Sequence, residues 1–203
     1  YSPIGRCGKT SFALTLGQIL AKKRACLYLN LEAYSGFEYL MERKFEQTLG
    51  DLLYYLRLGS DQLVTKMGSM VQSINNLDYL PPVLSMEDIQ STTAEEWIRL
   101  LQQIIDYSNY DVIILDLGNA MGHEPELLQQ CDGIYMPVRQ DMISRAKISQ
   151  WERYISDLDN LQVLEKLQKL ELPQLEHMPD SEEDLLALPR QKLGAYIRGL
   201  IRE

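Results

Sequence analysis

The sequence has few cysteines, and none of them are paired by spacing. Cys7, Cys26 and Cys131 are the only three among 203 residues, and no two stand in a Cys-x-x-Cys arrangement. The spacing excludes a disulfide framework and indicates free thiols in a reducing compartment. Apolar runs approaching the roughly 20 residues of a membrane-spanning helix are also absent. We therefore expect a cytoplasmic protein.

Positive charge is also scarce. Lys and Arg total 20 against 29 Asp and Glu, which gives a formal net charge of −9. A field of this sign repels nucleic-acid phosphates, so we expect no DNA or RNA partner. The length of 203 residues suits one domain with its own hydrophobic core.

Helical and strand patterns alternate along the chain. Apolar spacing predicts helices at 10–23, 48–58, 61–72, 93–107, 124–131, 143–158 and 191–202, and strands at 25–29, 77–82, 111–117 and 133–138. The strand at 111–117 has the uninterrupted apolar core of a parallel strand that is covered on both faces. The segment 160–188 has no readable pattern. The alternation predicts an α/β fold, a three-layer, open, mostly parallel sheet with helices on both faces.

A glycine-containing loop precedes the first helix and ends in Gly8-Lys9-Thr10. Glycines let successive backbone N–H groups point at phosphate oxygens, and the helix dipole adds to that attraction. Lys9 would reach the β- and γ-phosphates of a nucleotide, and the Thr10 hydroxyl would bind Mg²⁺. Pro3 stands where the strict Walker A pattern has its first glycine. The alternative is a Gly-Lys-Thr that only begins a helix.

Asp116 ends the clearest predicted strand. Ligands of open α/β sheets bind at the carboxyl ends of the strands, so a carboxylate there would hold magnesium as the Walker B aspartate does. The alternative is an aspartate that caps a turn with Gly118. A phosphate-binding loop, a later apolar strand ending in aspartate and βα alternation together favour a P-loop nucleotide-binding domain.

The loop resembles the deviant Walker A motif x-K-G-G-x-x-K-S/T of the ParA/MinD superfamily, which Gly5, Gly8, Lys9 and Thr10 match. The resemblance covers about residues 1–158 and extends to three further segments: 28–32 (Tyr-Leu-Asn-Leu-Glu), 77–82 and 131–138. The sequence of residues 28–32 is most similar to that of the TadZ/CpaE branch, whose members place pilus-secretion machinery at the cell pole. The resemblance implies a cytoplasmic localisation switch, polar or membrane-associated through its partners. It implies binding of ATP and Mg²⁺, homodimerisation and slow hydrolysis.

The resemblance also assigns roles to residues. It implies catalytic roles for Lys9, Glu32 and Asp116, and metal binding by Thr10 and Asp116. The nucleotide-binding set is the loop and the start of its helix: Gly5, Arg6, Cys7, Gly8, Lys9, Thr10 and Ser11.

Several positions depart from the family pattern. Ile4 stands in place of the signature lysine, and Arg6, in place of the second glycine, either supplies the missing charge or faces solvent. Asn30 and Glu32 replace an Asp-x-Asp pair, so Asn30 would contact a metal-bound water without adding charge. The segment 161–175 contains no asparagine of the kind that recognises adenine. These changes predict slow hydrolysis at most. The alternative function is a catalytically degenerate scaffold that acts through protein–protein interaction.

Both ends of the chain carry further expectations. A phosphate-binding loop normally follows a buried strand, so we expect residues 1–203 to form one domain that lacks its first strand and, by the resemblance, a receiver-like domain in front. At the other end, Leu193, Tyr196 and Ile197 belong to an apolar stripe flanked by basic residues. We expect the stripe to pack on the sheet, and the alternative is contact with an anionic membrane. His123 and His177 have no metal-ligand partner at helical spacing.

Overall fold

A computed structural model describes residues 1–59, 63–119, 121–175 and 178–201 of the chain. The helices are α1 (Lys9–Leu20), α2 (Phe37–Leu40), α3 (Leu49–Arg57), α4 (Leu63–Met70), α5 (Met86–Gln90), α6 (Ala94–Tyr107), α7 (Glu124–Gln130), α8 (Met142–Asp157), α9 (Leu161–Glu165), α10 (Glu182–Ala187) and α11 (Lys192–Leu200), with a 3₁₀ turn at Leu188–Arg190. The strands are β1 (Cys26–Leu31), β2 (Gln72–Ile74), β3 (Leu77–Leu80), β4 (Val112–Leu117), β5 (Ile134–Pro137) and β6 (Leu167–Leu170).

The strands form two sheets with three parallel pairings and one antiparallel hairpin. The first sheet has the order β2-β3-β1-β4, in which β1 is parallel to both β3 and β4. The second pairs β5 with β6 in parallel. β2 runs antiparallel to β3 across a turn in which Asn75 and Asn76 both have positive φ, as a two-residue hairpin turn requires. The mostly parallel sheet predicted from the sequence is confirmed.

Two hydrophobic clusters cover the two faces of the strands. One face of β1 contributes Leu27, Leu29 and Leu31 to a cluster with the buried sides of α3, α4, α6 and α8. The other face contributes Cys26 and Tyr28 to a cluster with α1, α10 and α11. Alternate side chains of a strand point to opposite faces, and because both faces are covered all six residues of β1 are buried. The arrangement confirms the three predicted layers.

Local sequence signals account for the most regular helices. Thr93 caps α6 by accepting from the N–H of Glu96, whose side chain accepts in return from the N–H of Thr93. This reciprocal pair of hydrogen bonds is a capping box, which the sequence Thr-x-x-Glu favours at a helix start. In α11, Leu193 and Ile197 are buried in the cluster beside α1. The apolar stripe of this helix thus packs inside the fold, as expected.

The sequence analysis missed two strands, β2 and β6. Both strands are short. In β6 apolar and polar residues do not alternate clearly enough to predict a strand, since its two middle residues, Gln168 and Lys169, are both exposed. Three predicted positions lie outside the described residues: the start of the helix at 61–72, Arg202 in the last helix, and His177. No helix among the described ranges is long and apolar enough to cross a membrane.

Candidate functional site

The loop before α1 curls through two left-handed backbone positions. Arg6 has φ 54° and Gly8, at the N-cap of α1, has φ 88°. Residues other than glycine rarely adopt such backbone angles. A Cβ on Gly8 would also lie 3.2 Å from Leu172 Cδ1. The first intrahelical bond runs from the N–H of Phe12 to the carbonyl of Gly8. The N–H groups of the turn before it have no acceptor within the helix and are therefore available to an anion.

Contacts with the end of β5 fix the base of the loop. The Ser2 hydroxyl donates to the Pro137 carbonyl at 2.8 Å, and Ser2 is fully buried. The Ile4 side chain is only 3% exposed and belongs to the cluster beneath α3 and α6. The Cys7 thiol donates to the Ile4 carbonyl at 3.4 Å. The Ile4 side chain, at the position that the sequence resemblance aligns with a lysine, is therefore a buried apolar anchor of the loop.

Asp116 is the penultimate residue of β4 and lies beside Asn30 of β1, with which it is in register. Its carboxylate is 3% exposed and accepts a hydrogen bond from the Tyr28 hydroxyl at 2.9 Å. The Asn30 amide donates to the same hydroxyl at 3.0 Å, and its Oδ1 accepts from the Glu32 N–H at 2.9 Å. Asn30 is fully buried. It positions Tyr28 through these internal bonds, and its contact with a metal-bound water stays a prediction.

Burial and the charge of Asp116 shape the chemistry of two neighbouring groups. Burial raises the pKa of Tyr28 well above its ordinary value, and the adjacent Asp116 carboxylate adds to the effect. The hydroxyl therefore stays protonated and keeps its proton on the bond to Asp116. Burial also raises the pKa of Glu32, with Asp116 contributing in the same direction and Lys9 opposing it.

Close backbone packing holds Glu32 at the site. A Cβ on Gly118 would lie 3.0 Å from the Glu32 Cα and 3.3 Å from its Cγ, so a side chain there would require the ends of β4 and β1 to move slightly apart. Glu32 is half-buried. The ends of β1 and β4 thus bring two carboxylates to one edge of the sheet.

Lys9 begins α1 at this same edge. It is half-buried, and its Nζ donates to the Ser2 carbonyl at 3.5 Å. Its charge opposes the rise in the pKa of Glu32 that burial and Asp116 cause. Lys9 and Asp116 also line a common groove. The ammonium, the two carboxylates and the helix N-terminus therefore converge.

The remaining predicted residues have different surroundings. Gly5 and Arg6 are exposed, and Cys7 and Thr10 are half-buried. Ser11 is buried, and its carbonyl accepts a 2.6 Å bond from the Thr15 hydroxyl.

The residue that sequence reasoning missed is Tyr28. Its signal was a polar hydroxyl inside the apolar run 25–29, two positions before Asn30 on the same face of the strand.

A metal ion at this edge would depend on oxygen ligands from different elements. No group of three or more His, Cys, Asp or Glu that could hold a metal occurs in the parts of the chain that the structure describes. Asp116 is a buried carboxylate that makes no ion pair with any described Lys or Arg. A buried carboxylate without an ion-pair partner favours a cation nearby. The residues present fit Mg²⁺ held by Asp116, Thr10 and oxygens of a phosphate ligand.

Similar folds occur among solved structures. A ParA family ATPase from Chlorobium tepidum TLS superposes with a TM-score of 0.74 at 17% identity, covering 98% of this chain and 95% of that one. A variant of Cyanothece McdA in complex with ATP gives 0.63 at 16% identity, over 94% and 76% of the two chains. Cobyrinic acid a,c-diamide synthase from Mycobacterium smegmatis, with bound ADP and magnesium, gives 0.61 at 17% identity, over 95% and 79%.

These likenesses establish the fold, which is that of ParA-type P-loop ATPases. No protein-family model matches the chain, and no curated protein matches it either.

Proposed function

We propose that this chain binds ATP with Mg²⁺ at the loop before α1 and acts as a ParA/MinD-like switch that positions a partner. The observation that carries the proposal is the convergence of Lys9, Asp116 and the N-terminus of α1 at one sheet edge. The similar folds include one described in complex with ATP and one with ADP and magnesium.

Each residue of the site has a role in this proposal. The N–H groups of residues 5–11 cradle the phosphates, and Lys9 neutralises the β- and γ-phosphate charge. Thr10 and Asp116 hold the metal, which supplies further charge neutralisation when bound. Glu32 orients a water molecule for attack. Tyr28 and Asn30 keep the Asp116 carboxylate in place through their hydrogen bonds.

Hydrolysis is proposed to be slow. The signature lysine position is taken by Ile4, whose side chain is buried and so adds no charge at the nucleotide. Arg6 is exposed on the loop, so packing does not fix the position of its side chain. Arg6 remains the candidate replacement for the missing charge.

Nucleotide-dependent dimerisation is the second part of the proposal. Large apolar side chains are exposed on segments that follow the carboxyl ends of β1 and β5, the edge that carries the loop: Tyr34 is 75% exposed, Met142 80% and Ile143 66%. Exposed apolar groups around a site indicate a protein-contacting surface. A pilus or secretion apparatus is the proposed cargo, on the resemblance of residues 28–32 to the TadZ/CpaE branch.

Sedimentation with and without Mg·ATP tests the switch. The proposal predicts a dimer only with Mg·ATP, and a monomer for Lys9→Ala under both conditions. Lys23→Ala, which removes the same charge from an exposed position after α1, is the matched control and should dimerise. An identical mass under all conditions would contradict the switch.

A scaffold without nucleotide dependence is the second candidate function. The buried Ile4 and the buried Asn30 favour it, because both replace charged family residues with groups that stabilise the fold. It predicts no phosphate release above the Asp116→Asn background. Steady release that Asp116→Asn abolishes, and that Asp111→Asn just before the start of β4 preserves, would exclude it.

A further inference from the structure

A small open cavity lies between α8 and the loop before α1. It has a volume of 280 Å³ and shares no lining residue with the groove that Lys9 and Asp116 line. Its walls are formed by Pro3, Lys147, Gln150, Trp151 and Tyr154. Pockets for whole small-molecule ligands have volumes of about 300–1,000 Å³, so a cavity of this size suits one or two side chains of a larger molecule.

The helix that forms most of this cavity is largely exposed. The buried residues of α8 follow one stripe at i, i+4, i+7 and i+11: Ser144, Ile148, Trp151 and Ile155. A second stripe repeats that spacing one position earlier and is exposed throughout: Ile143, Lys147, Gln150 and Tyr154. Its apolar members are large, since Ile143 is 66% exposed and Tyr154 51%. An exposed stripe of this kind, about 16 Å long, indicates a protein-contacting surface.

The cavity carries a positive charge in a chain whose net charge is −9. Lys147 is exposed and makes no ion pair with any residue that the structure describes. The carboxylate of Glu152 on the same helix is bound by Lys169 at 2.6 Å. Asp141 and Asp157 are six and ten residues from Lys147, about 9 and 15 Å along the helix axis and beyond the screening length of about 8 Å. The ammonium is therefore available to a carboxylate from outside.

The wall opposite Lys147 is rigid. Pro3 has its φ fixed by its ring, and the preceding residue is anchored because the Ser2 hydroxyl donates to the Pro137 carbonyl at 2.8 Å. The Trp151 ring is 8% exposed and lies 5.3 Å from the Tyr1 ring between centroids. A wall that is already ordered lowers the entropy cost of binding an apolar side chain.

We propose that this cavity docks an acidic peptide segment of a partner protein. Lys147 pairs with a carboxylate of the segment, and Trp151 and Tyr154 pack against an apolar side chain beside that carboxylate. The proposal rests on the proposed function in taking the partner to be a protein, and it adds the chemistry of the contact. Because Pro3 belongs to the loop before α1, the docked segment also touches the phosphate-binding loop.

Selection from a displayed library of random dodecapeptides tests the proposal. The wild-type chain should enrich peptides that contain Asp or Glu next to an apolar residue, and Lys147→Glu should lose that enrichment. Arg145→Glu is the matched control, because Arg145 is exposed on the same helix and two residues away, which places it on a different side of the helix. The control should select the same peptides as the wild type.

Affinity of one selected peptide measures the contact directly. Fluorescence anisotropy should give binding that is weaker by at least about tenfold for Lys147→Ala and for Tyr154→Ala, and unchanged for Arg145→Ala. The peptide should bind Lys9→Ala as well as it binds the wild type, so the docking site and the nucleotide site can fail separately.

Three results would overturn the proposal. Selection without an acidic bias, or a bias that Lys147→Glu retains, would show that Lys147 recognises no carboxylate. An equal loss of affinity in Arg145→Ala and Lys147→Ala would show general charge attraction without use of the cavity. Sedimentation of the chain with phosphatidylserine vesicles, lost in Lys147→Glu, together with no acidic bias in the selected peptides, would assign this surface to a membrane.

Discussion

Removing the Tyr28 hydroxyl is the sharpest test of the buried chain that holds Asp116. Tyr28→Phe deletes one oxygen that donates to the Asp116 carboxylate at 2.9 Å and accepts from the Asn30 amide at 3.0 Å. The ring itself stays, stacked 5.8 Å from Phe37 between centroids. The substitution therefore isolates the hydrogen bonds from the packing.

The expected cost follows from burial of all three partners. A hydrogen bond to a charged group is worth about 1.5–3 kcal/mol, and leaving a buried donor unsatisfied costs a similar amount. Water cannot readily replace the hydroxyl, since Tyr28 and Asn30 are fully buried and Asp116 is 3% exposed. Because the two losses share one deleted atom and are not additive, we expect Tyr28→Phe to lower the free energy of unfolding by about 2–4 kcal/mol.

Urea unfolding at neutral pH measures this cost. Tyr79→Phe is the matched control, because Tyr79 is 1% exposed on the adjacent strand and its hydroxyl has no hydrogen bond within the described part of the chain. We expect the control to change stability by less than about 0.5 kcal/mol. The variant should also weaken Mg·ATP binding, since the carboxylate loses its orientation. Equal stability of the two variants would refute the reasoning.

Three further changes have defined outcomes. Glu32→Gln should stabilise the fold more at pH 7 than at pH 4. The pKa of Glu32 is raised in the folded state, so the protonated carboxyl contributes stability below pH 4.5, and this contribution is lost as pH rises through the folded-state pKa. Glutamine, which carries no charge, avoids the loss. Thermal unfolding against pH checks this, and a constant difference would contradict it. Ile4→Lys should cost about 2–5 kcal/mol in urea unfolding, because the side chain is buried, whereas Ile4→Val should cost about 1. Thr93→Ala should cost about 1 kcal/mol through the α6 cap and leave Mg·ATP affinity unchanged, and a change in affinity would contradict a purely local role.

The sequence predicted those features whose signals are local. The helix α6 was predicted because its apolar residues recur at helical spacing, and β4 was predicted because a strand covered on both faces has an uninterrupted apolar run. β6 was missed because its pairing with β5 is set more than 30 residues away and its own middle residues are exposed. β2 carried a readable signal, Asn75-Asn76, which favours left-handed turn positions.

The motif residues of the candidate site could be predicted from the sequence, but the residues that hold them in place were harder to predict. Lys9, Asp116 and the glycines follow from a motif, and the fold brings them to one edge. The role of Asn30 depended on Tyr28, and the hydrogen bond between those side chains has no signature in sequence. Likewise, the sequence showed only that Ile4 stands where the resembled motif has a lysine. Its burial depends on the cluster beneath α3 and α6, which forms only in the folded chain.

Calorimetric titration of Mg·ATP into this protein tests the central claim most directly. The account predicts saturable binding that Lys9→Ala abolishes and that the control Lys23→Ala preserves, with unchanged far-UV circular dichroism in all three proteins. Absence of binding at millimolar ATP, or equal binding by Lys9→Ala, would contradict a working phosphate site at the loop before α1.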